Sequence, residues 1–371
     1  MYTLGSILNS IFSKSIVSID IGTSSIKAIE LAGKGNKRTM SRIAMELLPQ
    51  KVVDSGAIID KDALKNSLLQ LLRRLKVPPA GQQVGISLNG SSVVIKRVNL
   101  TKSKHDPDFY EYIYHEAEQY LQHDISDLYL DWEFVQDRYA SASVGTAIIL
   151  VGAKRDAVED YTSLVESLGM KVAIVDCDAL AAINALEFNA NIKNEFVCLV
   201  NIGYASTQVS LLIGNSFVFT REVPIGGANY TNGLIEAMNL DYQSADTLKI
   251  TVSLGSRAAP KECVELFSSI HQDLINEINL TIEQYVQENQ TDANSVILKK
   301  VFLTGGGSRI LGLDALIAET LKSPVEYLFP FKNVSINLSK VPRQFIENQW
   351  HMFGVSLGLA LRKIDEKKHA Q

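Results

Sequence analysis

The stretch IVSIDIGTSSIKAIEL, residues 16–31, interrupts an alternating apolar run with an acid, a glycine and three small hydroxyl residues. Glycine in a tight turn between two strands lets backbone N–H groups come close to a ligand, and neighbouring hydroxyls add donors for phosphate oxygens. Asp20 precedes this turn, where a carboxylate can hold Mg²⁺ through water, and Lys27 follows it with a positive charge. These residue types and their spacing predict a phosphate-binding hairpin whose turn consists of Gly22, Thr23, Ser24 and Ser25.

A similar stretch, LVNIGYASTQVSLL, returns at residues 199–212. Asn201 aligns with Asp20 at an offset of 181 residues, and the same offset aligns a glycine and a serine of the two turns. The chain is therefore predicted to contain two copies of one unit. The second copy has its own predicted phosphate-binding turn, with candidate residues Gly203, Tyr204, Ser206 and Thr207.

A third glycine-rich stretch, VFLTGGGSRILGLDALIAETL, covers residues 301–321. Its pattern predicts a buried strand, a triple-glycine turn and a helix that opens near Ser308. Glycines let a flat ring pack against the main chain, and a helix N-terminus offers unpaired N–H groups, so this turn is the predicted adenosine site. Its candidate residues are Gly305, Gly306, Gly307, Ser308 and Arg309. Two phosphate hairpins and one adenosine turn describe a nucleotide held between two similar lobes.

The elements that carry these turns follow from the periodicity of the apolar residues. Alternation predicts three strands in each copy, at 16–21, 26–31 and 40–48 in the first and at 196–202, 207–213 and 216–223 in the second. Leucines at helical spacing predict a helix within 61–77. The 25 residues from Phe196 to Thr220 lack a formal charge, but polar residues recur through them at a strand-like rhythm. This stretch is therefore predicted to form strands and not a membrane span.

Length and composition limit the function classes. A chain of 371 residues exceeds the size at which one hydrophobic core normally grows, which predicts at least two domains. The net charge of −5 argues against a nucleic-acid partner, which would require a basic face. Three scattered cysteines and six dispersed histidines provide neither a disulfide framework nor the ligand spacing of a zinc site, and the cysteines are expected to be buried.

Taken together, the motifs DIGTSSIKAIEL, NIGYASTQ and LTGGGSRILGL resemble those of the superfamily that contains actin, sugar kinases and heat-shock chaperone ATPases. Over nearly its whole length the chain is similar to the PilM family, the cytoplasmic actin-like proteins of type IV pilus assembly, and FtsA has the same organisation. EYIYHEAEQYLQHDISDLYLDWEFV looks like the insert region of that family. REVPIGGANYTNGLIEAMNLDYQSADTLK looks like its second-lobe signature, which adds Asp246 and Lys249 to the candidate nucleotide-binding residues.

The resemblance implies an α/β fold, an actin-like (ribonuclease-H-like duplicated) two-lobed ATPase fold with a small α+β insert in the first lobe. The predicted parts are an N-terminal amphipathic segment 1–14, a first lobe of 15–90 plus 169–194 plus 341–371, an insert 91–168 and a second lobe 195–340. Two connecting helices, from Val175 and from Phe353, are expected to pack closely at the hinge between lobes. The small residues that permit this are Ala179, Ala182, Gly354 and Gly358.

Two segments are open to more than one interpretation. Apolar residues at helical spacing in 1–14 indicate a short helix that contacts a membrane surface, a partner or the protein's own body, with disorder as the remaining alternative. The predicted insert helix, 108–122, carries five aromatic residues. They form either the core of the insert and its rim or a surface for a partner.

For function, the resemblance implies a nucleotide-binding scaffold of the type IV pilus inner-membrane assembly complex. Such a scaffold binds Mg-ATP, or ADP, between its lobes and the cytoplasmic N-terminal tail of a PilN-like membrane protein at the insert. It is expected to be peripheral on the cytoplasmic face of the inner membrane, where other pilus components and a homo-oligomer are further partners. The alternatives are an FtsA-like, polymer-forming division ATPase and a small-molecule kinase of the same superfamily.

Asn201 departs from the pattern of the hydrolysing relatives, which have an aspartate at that position of the second phosphate turn. An amide can hydrogen-bond a phosphate or a water, but it cannot act as a carboxylate base. The first connecting helix offers Asp176 and Asp178, which lie either near the attacking water or at the helix N-terminus as caps. The protein is expected to be at most a slow ATPase, and its candidate catalytic residues are Asp20, Asn201 and Asp178.

Overall fold

The computed structural model of the protein describes residues 16–34, 37–135, 146–192, 195–214, 216–288 and 297–362. The predicted amphipathic segment 1–14 lies outside these ranges. The described residues form two lobes, an insert in the first lobe, and a pair of helices that connect the lobes.

The first lobe begins with an antiparallel set of strands followed by a helix. In chain order its elements are β1 (Val17–Ile21), β2 (Ser25–Lys34), β3 (Lys37–Leu47), the short β4 (Val53–Asp54) and β5 (Ala57–Ile58), α1 (Lys61–Leu75) and β6 (Gln83–Leu88). Asp60 caps helix α1 by accepting the Ala63 N–H at 2.9 Å, and Lys76 ends it in the left-handed conformation. The predicted leucine stripe is buried against the sheet, at Leu64, Leu68, Leu71, Leu72 and Leu75.

The insert is a three-stranded antiparallel sheet with one helix packed against it, and a second helix at its end packs into the core of the first lobe. Its elements are β7 (Val93–Leu100), α2 (Phe109–Leu121), β8 (Leu128–Phe134), β9 (Thr146–Lys154) and α3 (Arg155–Glu166), with the strand order β7-β9-β8. Helix α2 confirms the helix predicted over 108–122. Of its aromatic residues, Phe109 is fully buried in the insert core, whereas Tyr110 and Tyr114 are 52% and 47% exposed.

The chain then returns to the first lobe, enters the second and comes back. It continues with β10 (Lys171–Cys177), α4 (Asp178–Asn189), β11 (Phe196–Ile202), β12 (Thr207–Ile213), β13 (Ser216–Val223), α5 (Gly227–Met238), α6 (Tyr242–Ser253) and α7 (Lys261–Glu288). The last elements are β14 (Leu298–Thr304), α8 (Leu313–Leu321), β15 (Val325–Tyr327), β16 (Val334–Ile336), α9 (Arg343–Gln349) and α10 (Gly354–Leu361). The three cysteines are buried and free, as expected.

The two main sheets share the same topology over five strands, and the first sheet has one further strand, β16. The first has the order β10-β6-β1-β2-β3-β16 and the second β13-β12-β11-β14-β15. Strand β1 pairs antiparallel with β2 and parallel with β6, and β11 pairs in the same way with β12 and β14. This equivalence confirms the predicted duplication. The uncharged stretch predicted to form strands lies in β11, β12 and β13, and no helix of the described residues has the length and apolar character of a membrane span.

Strand β16 belongs to a different lobe from the one that the predicted division gives. It lies within 195–340, the range predicted for the second lobe, but it pairs in parallel with β3 of the first sheet. The chain therefore crosses back to the first lobe before residue 334. The rest of the proposed division remains a prediction.

The two connecting helices, α4 and α10, cross in direct backbone contact. A Cβ atom added at Gly358 would lie 1.6 Å from the carbonyl oxygen of Ala181, and one at Gly354 would lie 2.6 Å from Thr304 Oγ1. Ala179 and Ala182 are buried in the same core. Gly358 is therefore what allows the two helices to approach, whereas Gly354 allows α10 to approach β14.

Glu187 on α4 faces the insert and has an unfavourable electrostatic environment. Burial, together with the nearby carboxylate of Glu133 on β8, raises its pKa to about 7. A carboxyl whose pKa is raised in the folded state is costly when ionised, and this cost disappears as the pH falls through about 7 towards its ordinary value.

We expect Glu187→Gln to increase the free energy of unfolding by about 2 kcal/mol at pH 8, because the neutral amide removes that cost. At pH 5 the carboxyl group of Glu187 is mostly protonated in the folded protein, so the increase in the free energy of unfolding should be only a fraction of that at pH 8. Urea unfolding at both pH values measures it, with the exposed Glu166→Gln on α3 as control. An equal gain at both pH values would show that ionisation of Glu187 is not the cause.

Candidate functional site

The two predicted phosphate turns are closed by the same hydrogen bond. The Gly22 N–H donates to the Ser25 carbonyl at 3.1 Å, and the Gly203 N–H donates to the Ser206 carbonyl at 2.9 Å. Each turn stands at the end of the central strand of its sheet, between β1 and β2 or between β11 and β12. The duplicated unit thus presents two equivalent turns, one from each lobe.

These turns face one cleft of about 730 Å³, part of which is open to solvent. Thirteen of the residues predicted from the sequence line it, which brings together both turns, the glycine-rich turn and the first connecting helix. They are Asp20, Gly22, Thr23, Ser24, Ser25, Lys27, Asp178, Asn201, Gly203, Tyr204, Ser206, Gly305 and Gly306. The cleft is therefore the structural counterpart of the predicted nucleotide site.

Asp20 and Lys27 form a buried ion pair across β1 and β2. They are register partners, and Lys27 Nζ lies 3.2 Å from Asp20 Oδ2. Ser356 Oγ on α10 donates to the same oxygen at 3.3 Å. The carboxylate is therefore oriented by two partners that both contact Oδ2.

In the second lobe the equivalent pair is neutral. Asn201 on β11 is the register partner of Gln208 on β12, where the first lobe has an acid and a lysine. Both amides line the cleft. They can donate to or accept from phosphate oxygens and water, but neither supplies a charge.

The two aspartates near the first connecting helix have different roles. Asp176 accepts two hydrogen bonds from Arg362, at 2.7 and 3.1 Å, and so anchors the end of α10 to β10. Asp178 begins α4 without capping it, and its buried Oδ1 has no hydrogen-bond partner among the described residues. Burial raises the pKa of Asp178 well above its usual range, and the neighbouring carboxylate of Asp20 adds to the rise. The cleft thus contains a carboxyl group with one unpartnered buried oxygen.

The glycine-rich turn differs from its prediction at the helix. Helix α8 begins at Leu313 and not near Ser308, because residues 306–309 form turns and Gly312 stands before the helix at a φ of 83°. The N–H groups of Gly305 and Gly307 donate to the carbonyls of His351 and Ile202. Gly306 is the exposed glycine of the three, and a helix N-terminus does not contribute to this part of the cleft.

Six predicted residues do not line the cleft: Thr207, Asp246, Lys249, Gly307, Ser308 and Arg309. Lys249 Nζ is buried and donates to Thr231 Oγ1 at 2.7 Å and to Asp246 Oδ1 at 2.6 Å. It also donates to the carbonyl of Gly227, whose N–H donates to Gly203. Lys249 and Asp246 therefore stabilise the second turn through Gly227 and do not line the cleft.

Seven lining residues were missed by sequence reasoning: Asn89, Gly90, Ala205, Gln208, Glu222, Met352 and Val355. Gln208 could have been found, because the duplication aligns it with Lys27. Asn89 and Gly90 lie between β6 and β7, where the chain enters the insert, and carried no signal of their own. Glu222 reaches the cleft because of the register of its sheet. Met352 reaches it because the chain returns to the first lobe.

The oxygen donors of the cleft fit a hydrated magnesium ion. The buried Oδ1 of Asp178 lacks a hydrogen-bond partner within the described ranges, and Asp20 lines the same cleft. Hard carboxylate oxygens of this kind are the ligands that Mg²⁺ prefers. No three His, Cys, Asp or Glu side chains of the described residues are placed to hold a metal ion directly. Contact through the waters that Mg²⁺ usually retains is consistent with both observations.

Comparison with known proteins agrees with this architecture. A sequence model described as type IV pilus assembly protein PilM matches residues 18–364. Cell division protein FtsA of Pseudomonas aeruginosa is 21% identical over 355 residues, covering 86% of this chain and 84% of FtsA. FtsA of Bacillus subtilis is 22% identical over 349 residues, covering 85% and 78%.

Solved structures give the same fold. A PilM-PilN type IV pilus biogenesis complex matches with a TM-score of 0.81 and 21% identity, covering 94% of this chain and 98% of the compared chain. MreB 5 of Spiroplasma citri bound to AMPPNP matches with a TM-score of 0.50 and 12% identity, covering 87% and 93%. The fold is that of the actin-like ATPases, as the motifs predicted.

Proposed function

The chain belongs to the family of the type IV pilus assembly protein PilM, and from this membership we propose that it is a nucleotide-binding scaffold of the pilus inner-membrane assembly complex. The observation that carries the proposal is the cleft, in which two equivalent phosphate turns face one another from two similar lobes. A ligand with several phosphates would contact both turns at once. Its binding would therefore be coupled to closure of the lobes.

Each part of a bound nucleotide has a candidate partner in the cleft. The turn residues Thr23 and Ser24 offer hydroxyls to phosphate oxygens, and Lys27 offers the positive charge. Asp20 and Asp178 would hold Mg²⁺ through water, and the ion would neutralise part of the phosphate charge. Gly306 leaves room for a flat ring on the main chain.

We assign the protein slow hydrolysis or none. Asn201 has no carboxylate with which to orient the attacking water, and its register partner Gln208 is also neutral. Burial raises the pKa of Asp178, so a smaller fraction of this residue is in the carboxylate form that a base requires. A kinase would in addition require a base beside an acceptor hydroxyl, and no lining residue of the described cleft is assigned to that role.

The proposed partner is the cytoplasmic N-terminal tail of a PilN-like membrane protein, bound at the insert. The likeness to a chain of a PilM-PilN complex over 94% of this chain supports a partner of this kind. Where the insert meets α4, half-buried Ile149 and Val151 of β9 and Phe188 of α4 provide apolar anchors for a short segment. Such a segment would order on binding, so its affinity would depend on a few anchors and main-chain hydrogen bonds. Through this tail the protein would sit on the cytoplasmic face of the inner membrane.

Hydrogen exchange on the full chain tests the placement. On addition of a PilN-like N-terminal peptide, we expect protection in the insert, residues 91–168, and in α4. Binding should survive deletion of residues 1–14 and a Tyr114→Ala change on the outer aromatic face of the insert, since neither contributes to the proposed groove. Protection confined to residues 195–340 would overturn the placement, and loss of binding with Tyr114→Ala would move the site to the aromatic face.

A further inference from the structure

The second lobe has no carboxylate at the end of β11, but it has one two strands away. Asn201 pairs with Gln208 on β12, and Gln208 pairs in turn with Glu222 on β13. These three residues form one row across the sheet, and all of them line the cleft. The equivalent row of the first sheet consists of Asp20, Lys27 and Met45. The first sheet thus has the acidic residue of this row on β1, whereas the second sheet has it on β13, at the opposite end of the row.

Glu222 is oriented by the second phosphate turn. Ser206 Oγ donates to Glu222 Oε1 at 2.6 Å, which brings the carboxylate beside the tip of the turn. Asp178, at the start of α4, lines the same cleft as Glu222. Glu222 therefore acts on the same space as Asp178 and Asp20, although it belongs to a different lobe.

The ionisable groups that line this space favour a cation. Asp20, Asp178 and Glu222 line the cleft, and Lys27 is the one lysine or arginine among its lining residues in the described chain. A polyphosphate that entered alone would be repelled by these carboxylates. A divalent ion bound with it would be attracted to both lobes, because the carboxylates come from both.

We propose that Glu222 is the second-lobe carboxylate that positions the magnesium ion of a bound Mg-nucleotide, through the water shell of the ion, in place of Asn201. This inference rests on the proposed nucleotide binding and deepens it. Contact through water follows from the absence of a direct three-ligand metal cluster among the described residues. The unpartnered, buried Oδ1 of Asp178 is the second group that the hydrated ion would satisfy.

Calorimetric titration with ATP, once with excess Mg²⁺ and once with a chelator, tests the proposal. We expect Glu222→Gln to weaken binding of Mg-ATP about 10-fold while metal-free ATP binds as well as before or more tightly, because a repelling charge is gone. Glutamine can still accept the Ser206 hydrogen bond, so the turn is preserved. The double variant Asn201→Asp/Glu222→Gln should recover the magnesium dependence, since it returns the carboxylate to the end of β11.

The controls separate this role from others. Glu236→Gln, an exposed change on α5, should behave like the unchanged protein. An equal loss for Mg-ATP and metal-free ATP in Glu222→Gln would mean that the residue only supports the turn, and an unchanged magnesium dependence would also overturn the proposal. If the unchanged protein binds ATP in neither condition, the proposed function fails and this inference fails with it.

Discussion

Replacing Gly358 with alanine should lower the free energy of unfolding by about 3 kcal/mol, at the upper end of what overpacking usually costs. The added Cβ would lie 1.6 Å from the carbonyl oxygen of Ala181 and 2.4 Å from its carbonyl carbon. Backbone atoms cannot rotate away as a side chain can, so α4 and α10 would have to separate. The gain in helix propensity from glycine to alanine, about 1 kcal/mol, offsets only part of this cost. Urea unfolding of the two proteins measures the difference.

Gly233→Ala on α5 is the matched control for this prediction. There the added Cβ meets Leu266 Cδ1 at 2.8 Å, but this atom is the end of a flexible side chain. We expect a change in unfolding free energy within about 1 kcal/mol of zero, since Leu266 can change rotamer and the helix gains propensity. Equal losses for the two variants would show that the crossing of α4 and α10 is not the tight contact described.

Lys27→Met should reduce the affinity for Mg-ATP by about 10-fold to 100-fold. In the proposed site the lysine would supply a charge-assisted contact to phosphate, and such contacts contribute about 1.5–3 kcal/mol. Methionine keeps most of the apolar stem, so the change removes the charge with little loss of packing. Calorimetry measures the affinity, with Lys171→Met as control because Lys171 is exposed at the opposite end of the first sheet.

The buried ion pair complicates this result, and a double variant resolves it. Lys27→Met leaves Asp20 as an unpaired buried charge, which typically destabilises a protein by about 3–5 kcal/mol. Adding Asp20→Asn removes that charge and should recover stability without recovering ATP binding. If ATP affinity returns together with stability, Lys27 serves the fold and does not contact phosphate.

Gly306→Val gives an independent test of the same cleft. The added Cβ meets only the flexible end of Met352, at 3.3 Å, so the fold should tolerate the change. Because Gly306 is exposed on the cleft wall, the larger side chain should occupy space needed by the nucleotide. Unchanged ATP affinity in a normally folded Gly306→Val protein would argue against the proposed position of the base.

The positions of the turns and strands could be predicted because the signals are local. Alternating apolar residues and a central glycine define β11 and β12 to the residue, and the repeat at an offset of 181 residues predicts the duplicated topology. The start of α8 was misplaced because Ser308 resembled a cap, whereas Gly312, immediately before the apolar run, was the better signal. Local sequence could not show that Ser308 Oγ instead donates to the Gly305 carbonyl within the turn.

Asp176 and Asp178 show where local reasoning fails. Both were candidates for the cleft or for helix capping, and their types and spacing did not separate these roles. The structure separates them, because Arg362, 186 residues away in sequence, binds Asp176, while Asp178 keeps one unpartnered buried oxygen in the cleft. Only the packing of α10 beside β10 determines which carboxylate is neutralised.

By itself, the sequence determined that this chain has two equivalent hairpin turns, a glycine-rich turn and a duplicated fold, because each depends on residues adjacent along the chain. The tertiary structure decided which neighbouring side chains face the cleft. Thr207 and Gln208 are adjacent on β12, but only Gln208 lines the cleft, because successive side chains of a strand point to opposite faces. Glu222 reaches the same cleft because the register of β12 and β13 aligns it with Gln208, and register is fixed by long-range pairing that no single segment encodes.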